Sequence, residues 1–475
     1  MIPTRPKARA DGEPGRPSLS PPLSPWGPGT RLGGSAAGLR VVLLAGGLAV
    51  AGLWWLDTAS ASVHGLGPWV TSAGRVTGLF GGYLVLVEVL LLCRLGWFER
   101  AVGLERLASW HRALGTNVVI LIMAHVLLTV WGYGLTAHHA VIGELWNVIT
   151  TYPDMLTATA GTVIFLGVAV SSARFARQRL SYEAWYWVHV TTYVAIALTF
   201  FHQTSTGADF VGHPWNKLLW TALYLAVAGC VLIWRVVLPV RKWFVHRMTV
   251  ERVVPEADGM VSVWIHGVRL DELGARAGQF FLWRFLTPGH VWSAHPYSVS
   301  AVPTRDRLRI TVRAVGGHSA ALAHLRHGTP VLAEGPFGTF TEQRRTRRAI
   351  LLIAGGSGIS PIRALAEAFT ATRPGAPDEV VLIYRVSREG NLALRRELDR
   401  LAAKRSLTVL YLVGSRSELG YDPLGARRLS QLVPDVRHRD VYVCGPEGMA
   451  VNTIDTLRHL GVPARQIHTE EFVLR

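Results

Sequence analysis

The chain has 475 residues, with 49 Lys+Arg against 32 Asp+Glu and a formal net charge of +17. Charged residues make up 17%, against about 25% in a typical soluble domain, and the mean hydropathy is +0.26. These values exclude a disordered chain and a single small domain, and they point to a membrane part joined to a soluble part. The three cysteines, Cys93, Cys230 and Cys444, have no CxxC or Cys/His zinc spacing and exclude a disulfide scaffold.

Residues 1–36, rich in Pro, Gly, Ser and Arg, read as a disordered tail. Apolar runs follow at about 39–56, 76–97, 113–135, 155–173, 184–202 and 217–240, each near the length needed to cross a ~30 Å hydrocarbon core. The first has no clear small-residue cleavage site after it, so it reads as a retained helix and not as a signal peptide. Six spans place both chain ends on one side. Arg5, Lys7, Arg9, Arg16 and Arg31 precede the first span, and Arg94, Arg100, Arg106 and Arg112 lie between the second and third. Arg174, Arg177 and Arg179 lie between the fourth and fifth, and Arg235, Arg241, Lys242 and Arg247 are counted as following the sixth. The opposite loops hold few basic residues but include His138, His139, Glu144, Asp154 and Asp209; His64, His138, His139 and His213 there read as solvated residues, with attraction of a metal complex the other reading for His138, His139 and Glu144. This pattern predicts a multi-pass protein of the plasma membrane with both termini cytoplasmic and lipid as its surroundings. It also removes the main support for nucleic-acid binding.

Span three carries His111 and His125, and span five, running in the same direction, carries His189 and His202. Ionisable residues at membrane depth are costly and usually functional. Each pair is separated along its helix by about 20 Å at 1.5 Å per residue. His111 then faces His189, and His125 faces His202, as two stacked haems with two His ligands each would require. Fourteen residues bring His125 to within about 40° of the His111 face, whereas thirteen leave His202 well off the His189 face. Span five is therefore expected to bend, bulge or fray. His-x13-His on one span with His-x12-His on another resembles the transmembrane ferric reductase and NADPH oxidase superfamily.

Beyond Arg247 the pattern turns to short alternating stretches, Met248–Val253, Met260–Ile265, Phe280–Trp283, Leu308–Val312 and Pro330–Ala333, which predict an antiparallel β-barrel. Within it, His295, Pro296, Tyr297 and Ser298 suit a flavin: the aromatic ring packs on the isoalloxazine and the hydroxyl bonds its N5. Arg313 with Gly316, Gly317, His318 and Ser319 can hold a pyrophosphate. Glu334-Gly335-Pro336-Phe337-Gly338 closes the region. This order is similar to the FAD domain of the ferredoxin-NADP reductase superfamily. Soluble members of that superfamily usually carry Arg where His295 stands, and the His-Pro-aromatic-hydroxyl form resembles its membrane branch.

A strand at Ala349–Ala354 runs into a turn with Gly355, Gly356, Gly358, Ile359, Ser360 and Pro361 and then a helix, an arrangement that offers backbone N–H groups to phosphate. A second strand, Val380–Tyr384, is followed by Arg385, Ser387 and Arg388, which could take the 2′-phosphate of NADPH, with NADH as the other donor. A third, Asp440–Val443, ends in Cys444, Gly445, Pro446 and Met449. The resemblance places both glycine-bearing motifs beside the nicotinamide nucleotide, with Cys444 near the reacting carbon, and it offers Phe472 as the aromatic that covers the flavin.

The expected fold is a multidomain membrane protein. A disordered tail (1–36) leads into a six-helix all-α bundle (37–243), an antiparallel β-barrel FAD domain (244–344) and an α/β nucleotide-binding domain with a parallel sheet (345–475). The resemblance, spanning about residues 40–475, implies FAD, NADPH and two haem b. Ser298, Cys444 and Phe472 are the expected catalytic residues, and His111, His125, His189 and His202 the expected iron ligands. Electrons would pass from cytosolic NAD(P)H to oxygen or a ferric chelate on the opposite face. No calcium-binding D-x-D-x-D-G loop is evident, which argues against calcium gating. A flavin reductase with a haem-free anchor, passing electrons to quinone or a partner protein, is the competing reading. A transporter or sensor is a third class, supported by no transport motif. A homo-oligomer is left open.

Overall fold

The computed structural model describes residues 35–57, 63–257, 259–288, 294–314, 317–371, 379–404 and 407–470. The expected tail, apart from its last two residues, lies outside them.

The helical part runs α1 (Ser35–Asp57), α2 (Leu66–Leu91), α3 (Gly96–Val102), α4 (Leu104–Ala137), α5 (Val141–Thr151), α6 (Met155–Ser172), α7 (Arg174–Arg177), α8 (Tyr182–Val190), α9 (Thr192–Thr206), α10 (Pro214–Leu232) and α11 (Leu238–His246). Among the described residues six segments are long and apolar enough to span a membrane, as the sequence predicts. Two of them start earlier than the hydropathy suggests. The second begins at Leu66 because Arg75, which closes off the apolar run in the sequence, is neutralised by Asp209 at 2.8 Å. The third begins at Leu104, with Arg106 and Arg112 in its first turns.

Span five is interrupted, as its histidine spacing requires. The break is at Thr191, where ψ is −12°. The Thr191 and Thr192 hydroxyls donate to the carbonyls of Val188 and His189, which weakens the helical ladder there. In span six, Pro239 has no N–H to give to the preceding turn, and the helix widens into a π segment over Ile233–Val237.

α2 and α4 pack antiparallel at very short range. Gly67, Gly74 and Gly81 recur every seven residues on α2, and a Cβ on Gly74 would stand 2.5 Å from Thr129 Oγ1. Gly132 of α4 answers against Thr71 of α2. Small residues of this kind let helices approach backbone to backbone in lipid, where dispersion replaces the hydrophobic effect.

The next unit contains β1 (Thr249–Pro255), β2 (Met260–His266), β3 (Phe280–Phe285), β4 (His295–Ser298), β5 (Arg307–Arg313) and β6 (Val331–Phe337). The expected barrel is not a closed one. The strands form two three-stranded antiparallel sheets, β1-β2-β5 and β4-β3-β6, joined by single bridges at Thr249–Pro330 and Val299–Ile310. The β1–β2 and β3–β6 ladders each carry one irregularity, at Val250/Arg252 and Phe280/Leu282. Trp283, Phe281, Val263, Ile265, Ile310 and Val331 fill the space between the sheets.

The last unit is a parallel sheet in the order β11-β10-β7-β8-β9. It consists of β7 (Ile350–Gly355), β8 (Val380–Val386), β9 (Leu407–Val413), β10 (Asp440–Cys444) and β11 (Ile467–Glu470), with α13 (Ile359–Ala371) following β7 and α17 (Glu447–His459) following β10. The connections across it are helical, as parallel strands require.

The junction between bundle and sheets is direct. Lys242 on α11 donates to the Gly335 carbonyl at 2.6 Å. Buried Glu334 is paired with Arg284 at 2.9 Å and with Arg94 from the α2–α3 connection. Leu104 at the start of α4 packs with Phe280, Leu282 and Phe337.

Two outcomes follow from this packing. Gly74→Val places branched carbon against the Thr129 backbone and is expected to destabilise the bundle by about 1–3 kcal/mol, read as a lower unfolding temperature in detergent. Asp440 accepts from the Arg347 N–H at 2.6 Å, the Thr346 hydroxyl at 3.0 Å and the Thr346 N–H, with His468 at 3.5 Å. Burial raises its pKa, but the hydrogen bonds from His468, Arg347 and Thr346 outweigh that and hold it below the ordinary carboxylate value. A depressed folded-state pKa stabilises the fold above the unfolded value of about 3.9, and that gain is lost as the pH falls through the folded value. Asp440→Asn is expected to cost about 1–3 kcal/mol at neutral pH, and chemical denaturation of the full chain should show the difference shrinking below about pH 4.

Candidate functional site

The structure brings the four membrane histidines together in two pairs. The His111 and His189 ring centroids are 6.0 Å apart, and those of His125 and His202 are 6.4 Å apart. Two imidazoles that share one metal through bonds of about 2 Å set their centroids about 6 Å apart. The His111 pair lies toward the β-sheets, and the His125 pair lies about 21 Å further along α4. Among the described residues no group of three or more His, Cys, Asp or Glu side chains could hold a bare ion. Paired imidazoles suit the two axial positions of a porphyrin iron instead.

The ring environments fit that role. His125 Nδ1 lies 2.8 Å from the Gly74 carbonyl and His111 Nδ1 lies 3.3 Å from the Glu88 carbonyl. Carbonyl acceptors fix the ring proton on Nδ1 and leave the Nε2 lone pair free for a metal. Gly78 makes room for the His125 ring, since a Cβ there would stand 2.5 Å from Nδ1. Trp185 stacks on His189 at 4.9 Å, and the buried His189 Nδ1 has no hydrogen-bond partner among the described residues.

On the far side, two acidic residues that the sequence places in outer loops are buried. Glu144, 2% exposed, accepts from His139 at 2.8 Å and from Asn147 at 3.2 Å, because α5 folds its polar edge onto the bundle. Asp209 is held by Arg75. The sequence reading missed α5 and both pairings, since it took those segments as loops.

The flavin-type residues lie on β4, an edge strand with one side unpaired. Tyr297 accepts a hydrogen bond from Trp283 Nε1 at its carbonyl, 2.9 Å away, and its ring lies nearly parallel to that of His295. Burial pushes its phenol pKa up. Ser298 is buried opposite Phe280, and Pro296 pairs with Leu282. Arg313 stands exposed at the end of β5, while Gly317 and Ser319 fall in the five-residue helix α12 (Gly317–Ala321). His318 lies in the same helix. Gly316 and Phe472 lie outside the described residues.

The two glycine-bearing motifs interlock at the C-terminal ends of β7 and β10. A Cβ on Gly358 would strike the Cys444 carbonyl, and Cβ atoms on Gly355 and Gly445 would strike the Met449 side chain. Gly356 adopts φ +51°, which favours glycine. Ile359, Ser360 and Pro361 are buried, and Ser360 Oγ donates to the Thr311 carbonyl at 2.5 Å, tying this turn to β5. The Cys444 side chain is fully buried, with Pro446 capping α17 behind it. Burial pushes the Tyr384 phenol up to about 12, against the opposing pull of the Ala393 backbone and of Arg313.

Arg385 closes β8 and its guanidinium reaches the Leu412 carbonyl at 3.3 Å. Ser387 and Arg388 are exposed beside it. Arg416, paired with Asp422 at 2.7 Å, contributes charge to the same corner. It was missed because β9, which delivers it, was not read as a strand.

Residues 77–200 match the family described as Ferric reductase like transmembrane component, and residues 352–454 match Oxidoreductase NAD-binding domain. The ferredoxin–NAD(P)+ reductase component of the naphthalene 1,2-dioxygenase system of Pseudomonas putida is 24% identical over 206 residues, 41% of this chain and 60% of that protein. The ferredoxin reductase component of the 3-ketosteroid-9-alpha-monooxygenase of Mycolicibacterium smegmatis is 33% identical over 211 residues, 43% and 58% of the two chains. A probable metalloreductase of Yarrowia lipolytica is 27% identical over 287 residues, 59% of this chain and 48% of that one. The chain thus spans roughly half to three-fifths of the length of each relative. The chain is a multi-pass membrane protein that joins a ferric-reductase-like transmembrane component to a ferredoxin-reductase-like module with an oxidoreductase NAD-binding domain.

Proposed function

We propose that the chain oxidises NAD(P)H on the cytoplasmic side of the plasma membrane and delivers the electrons to an acceptor on the opposite side, either oxygen or a ferric chelate. The observation that carries this reading is the two stacked histidine pairs, at 6.0 and 6.4 Å, inside the bundle to which the reductase module is docked. When bound, FAD would divide the electron pair of a hydride into single electrons, and two haem b groups would relay them across the apolar layer.

The residues have distinct tasks in this reading. His111 with His189, and His125 with His202, would each hold one iron from two sides. Tyr297 would pack against the flavin ring, with His295, Pro296 and Ser298 shaping the rest of that face. Arg313, with the backbone at Gly317 and Ser319, would meet the pyrophosphate. The Gly355–Gly358 turn and Gly445 would let the nicotinamide nucleotide approach the backbone, with Cys444 and Met449 packed behind it. The dock formed by Lys242, Arg94 and Glu334 would fix the module against the His111 end of the bundle. The arginine-rich loops support cytoplasmic termini. The probable metalloreductase among the relatives supports a ferric acceptor, and the membrane form of the His295–Ser298 motif is equally compatible with oxygen.

The test is an optical spectrum of the full-length protein in detergent with added FAD, before and after anaerobic NADPH. Low-spin bands that NADPH reduces are expected. His125→Ala should remove about half of the haem, and His111→Ala with His125→Ala all of it. Flavin bleaching without any haem band would overturn this reading in favour of the haem-free anchor. Re-oxidation by oxygen or by ferric citrate then assigns the acceptor. For the donor, Arg388→Ala is expected to raise the KM for NADPH about tenfold while leaving that for NADH unchanged, as loss of one charge-assisted phosphate contact would. Equal values for both donors in the two proteins would point to NADH.

A further inference from the structure

Glu88 stands within the second membrane span and is 8% exposed. It continues the seven-residue series of Gly67, Gly74 and Gly81 along α2, so a carboxylate occupies the place where glycines stand in the three preceding repeats. Its Oε2 lies against His111 Nδ1, and among the described residues His111 is the one ionisable side chain with which it is paired. A buried carboxylate at membrane depth is costly unless something there needs it.

The two histidine pairs differ at this point. The His111 ring has a carboxylate beside its Nδ1. The His125 ring has the Gly74 carbonyl at 2.8 Å and the Thr129 hydroxyl at 3.5 Å, both neutral. The acceptor on the outer nitrogen of an axial imidazole tunes the metal it binds. With Nε2 toward the iron, the ring proton sits on Nδ1, between the Glu88 carbonyl at 3.3 Å and the Glu88 carboxylate. A ferric haem carries a formal charge of about +1 on its iron and porphyrin core, and this charge is cancelled on reduction. A fixed negative charge nearby therefore favours the oxidised form, and a low local dielectric strengthens the effect.

We propose that Glu88 makes the two iron sites unequal: its carboxylate, paired with His111, holds the site of His111 and His189 at a lower potential than the site of His125 and His202. The inference rests on the haem reading above. Each reduction adds one electron to ferric iron, breaks no bond to imidazole and leaves the proton on Nδ1. Electrons entering from the docked module then meet the lower-potential site first and pass to the higher one.

The experiment is an anaerobic potentiometric titration of the haem-loaded, full-length protein followed by its optical bands. Two one-electron waves are expected, and His125→Ala should remove the upper one. Glu88→Gln keeps an oxygen acceptor but removes the charge. It should raise the lower midpoint, leave the upper in place and retain two haems per chain. Two haems with an unmoved lower wave, or both waves moving together, would overturn the proposal. Should the glutamine variant fail to take up both haems, Thr129→Asp supplies the converse test. A carboxylate beside His125 should lower the upper wave, and an unmoved upper wave would count against the proposal. A wild-type protein without haem bands overturns the haem reading itself, whereas haem bands with Glu88-independent midpoints overturn only this inference.

Discussion

The distance between α2 and α4 is the constraint on which the bundle depends. Glycines at seven-residue spacing bring the two helices close enough that α2 offers its own carbonyl groups to histidines on α4. A helix carbonyl is normally committed to its own ladder, and here Gly74 and Glu88 share theirs with imidazoles one helix away. Ring orientation is thereby set by backbone, which side-chain motion cannot easily undo.

The second level of organisation is the treatment of charge. Arg75 meets Asp209, Glu144 meets His139, Glu88 meets His111, and Arg94 meets Glu334. Glu88–His111 joins α2 to α4, Arg75–Asp209 ties α2 to the α9–α10 connection, and Arg94–Glu334 ties the α2–α3 connection to β6, so these neutralisations are also tethers. Breaking one member would leave a buried charge uncompensated, a larger loss than the pair contributes. The Arg94–Glu334 contact, with Lys242 on Gly335, replaces a flexible linker by a hinge-free joint, consistent with the few residues between α11 and β1.

Much of this was legible in the sequence, and the parts that were not have physical reasons. Six spans, the pairing of the histidines and the interruption of the fifth span follow from hydropathy, rise and rotation per residue. The start of α2 was hidden because Arg75 looks like a boundary until Asp209, 134 positions away, is known to neutralise it. β4 escaped notice as a strand because Pro296 removes a donor from it, which an edge strand tolerates. β11 has no apolar alternation in Ile467–Glu470, and its place comes from pairing with β10. Glu88 gave no signal beyond a single acid in an apolar run, since its meaning lies in what α4 places opposite it. The histidine, glycine and arginine motifs were each visible locally, whereas Arg416 needed the sheet order to bring it to the same corner.

The interruption at Thr191 bears on how such a chain can vary. α4 is one continuous helix, so inserting a single residue between His111 and His125 would rotate one of them by about 100° and disconnect it from its partner. The partner element is built of two segments whose junction already departs from helical geometry. An added or deleted residue there can be absorbed in the joint while both segments keep their faces. Length variation between the two histidines should thus accumulate on the fifth span and be absent from the third, which makes one helix the fixed ruler of the pair and the other the adjustable one.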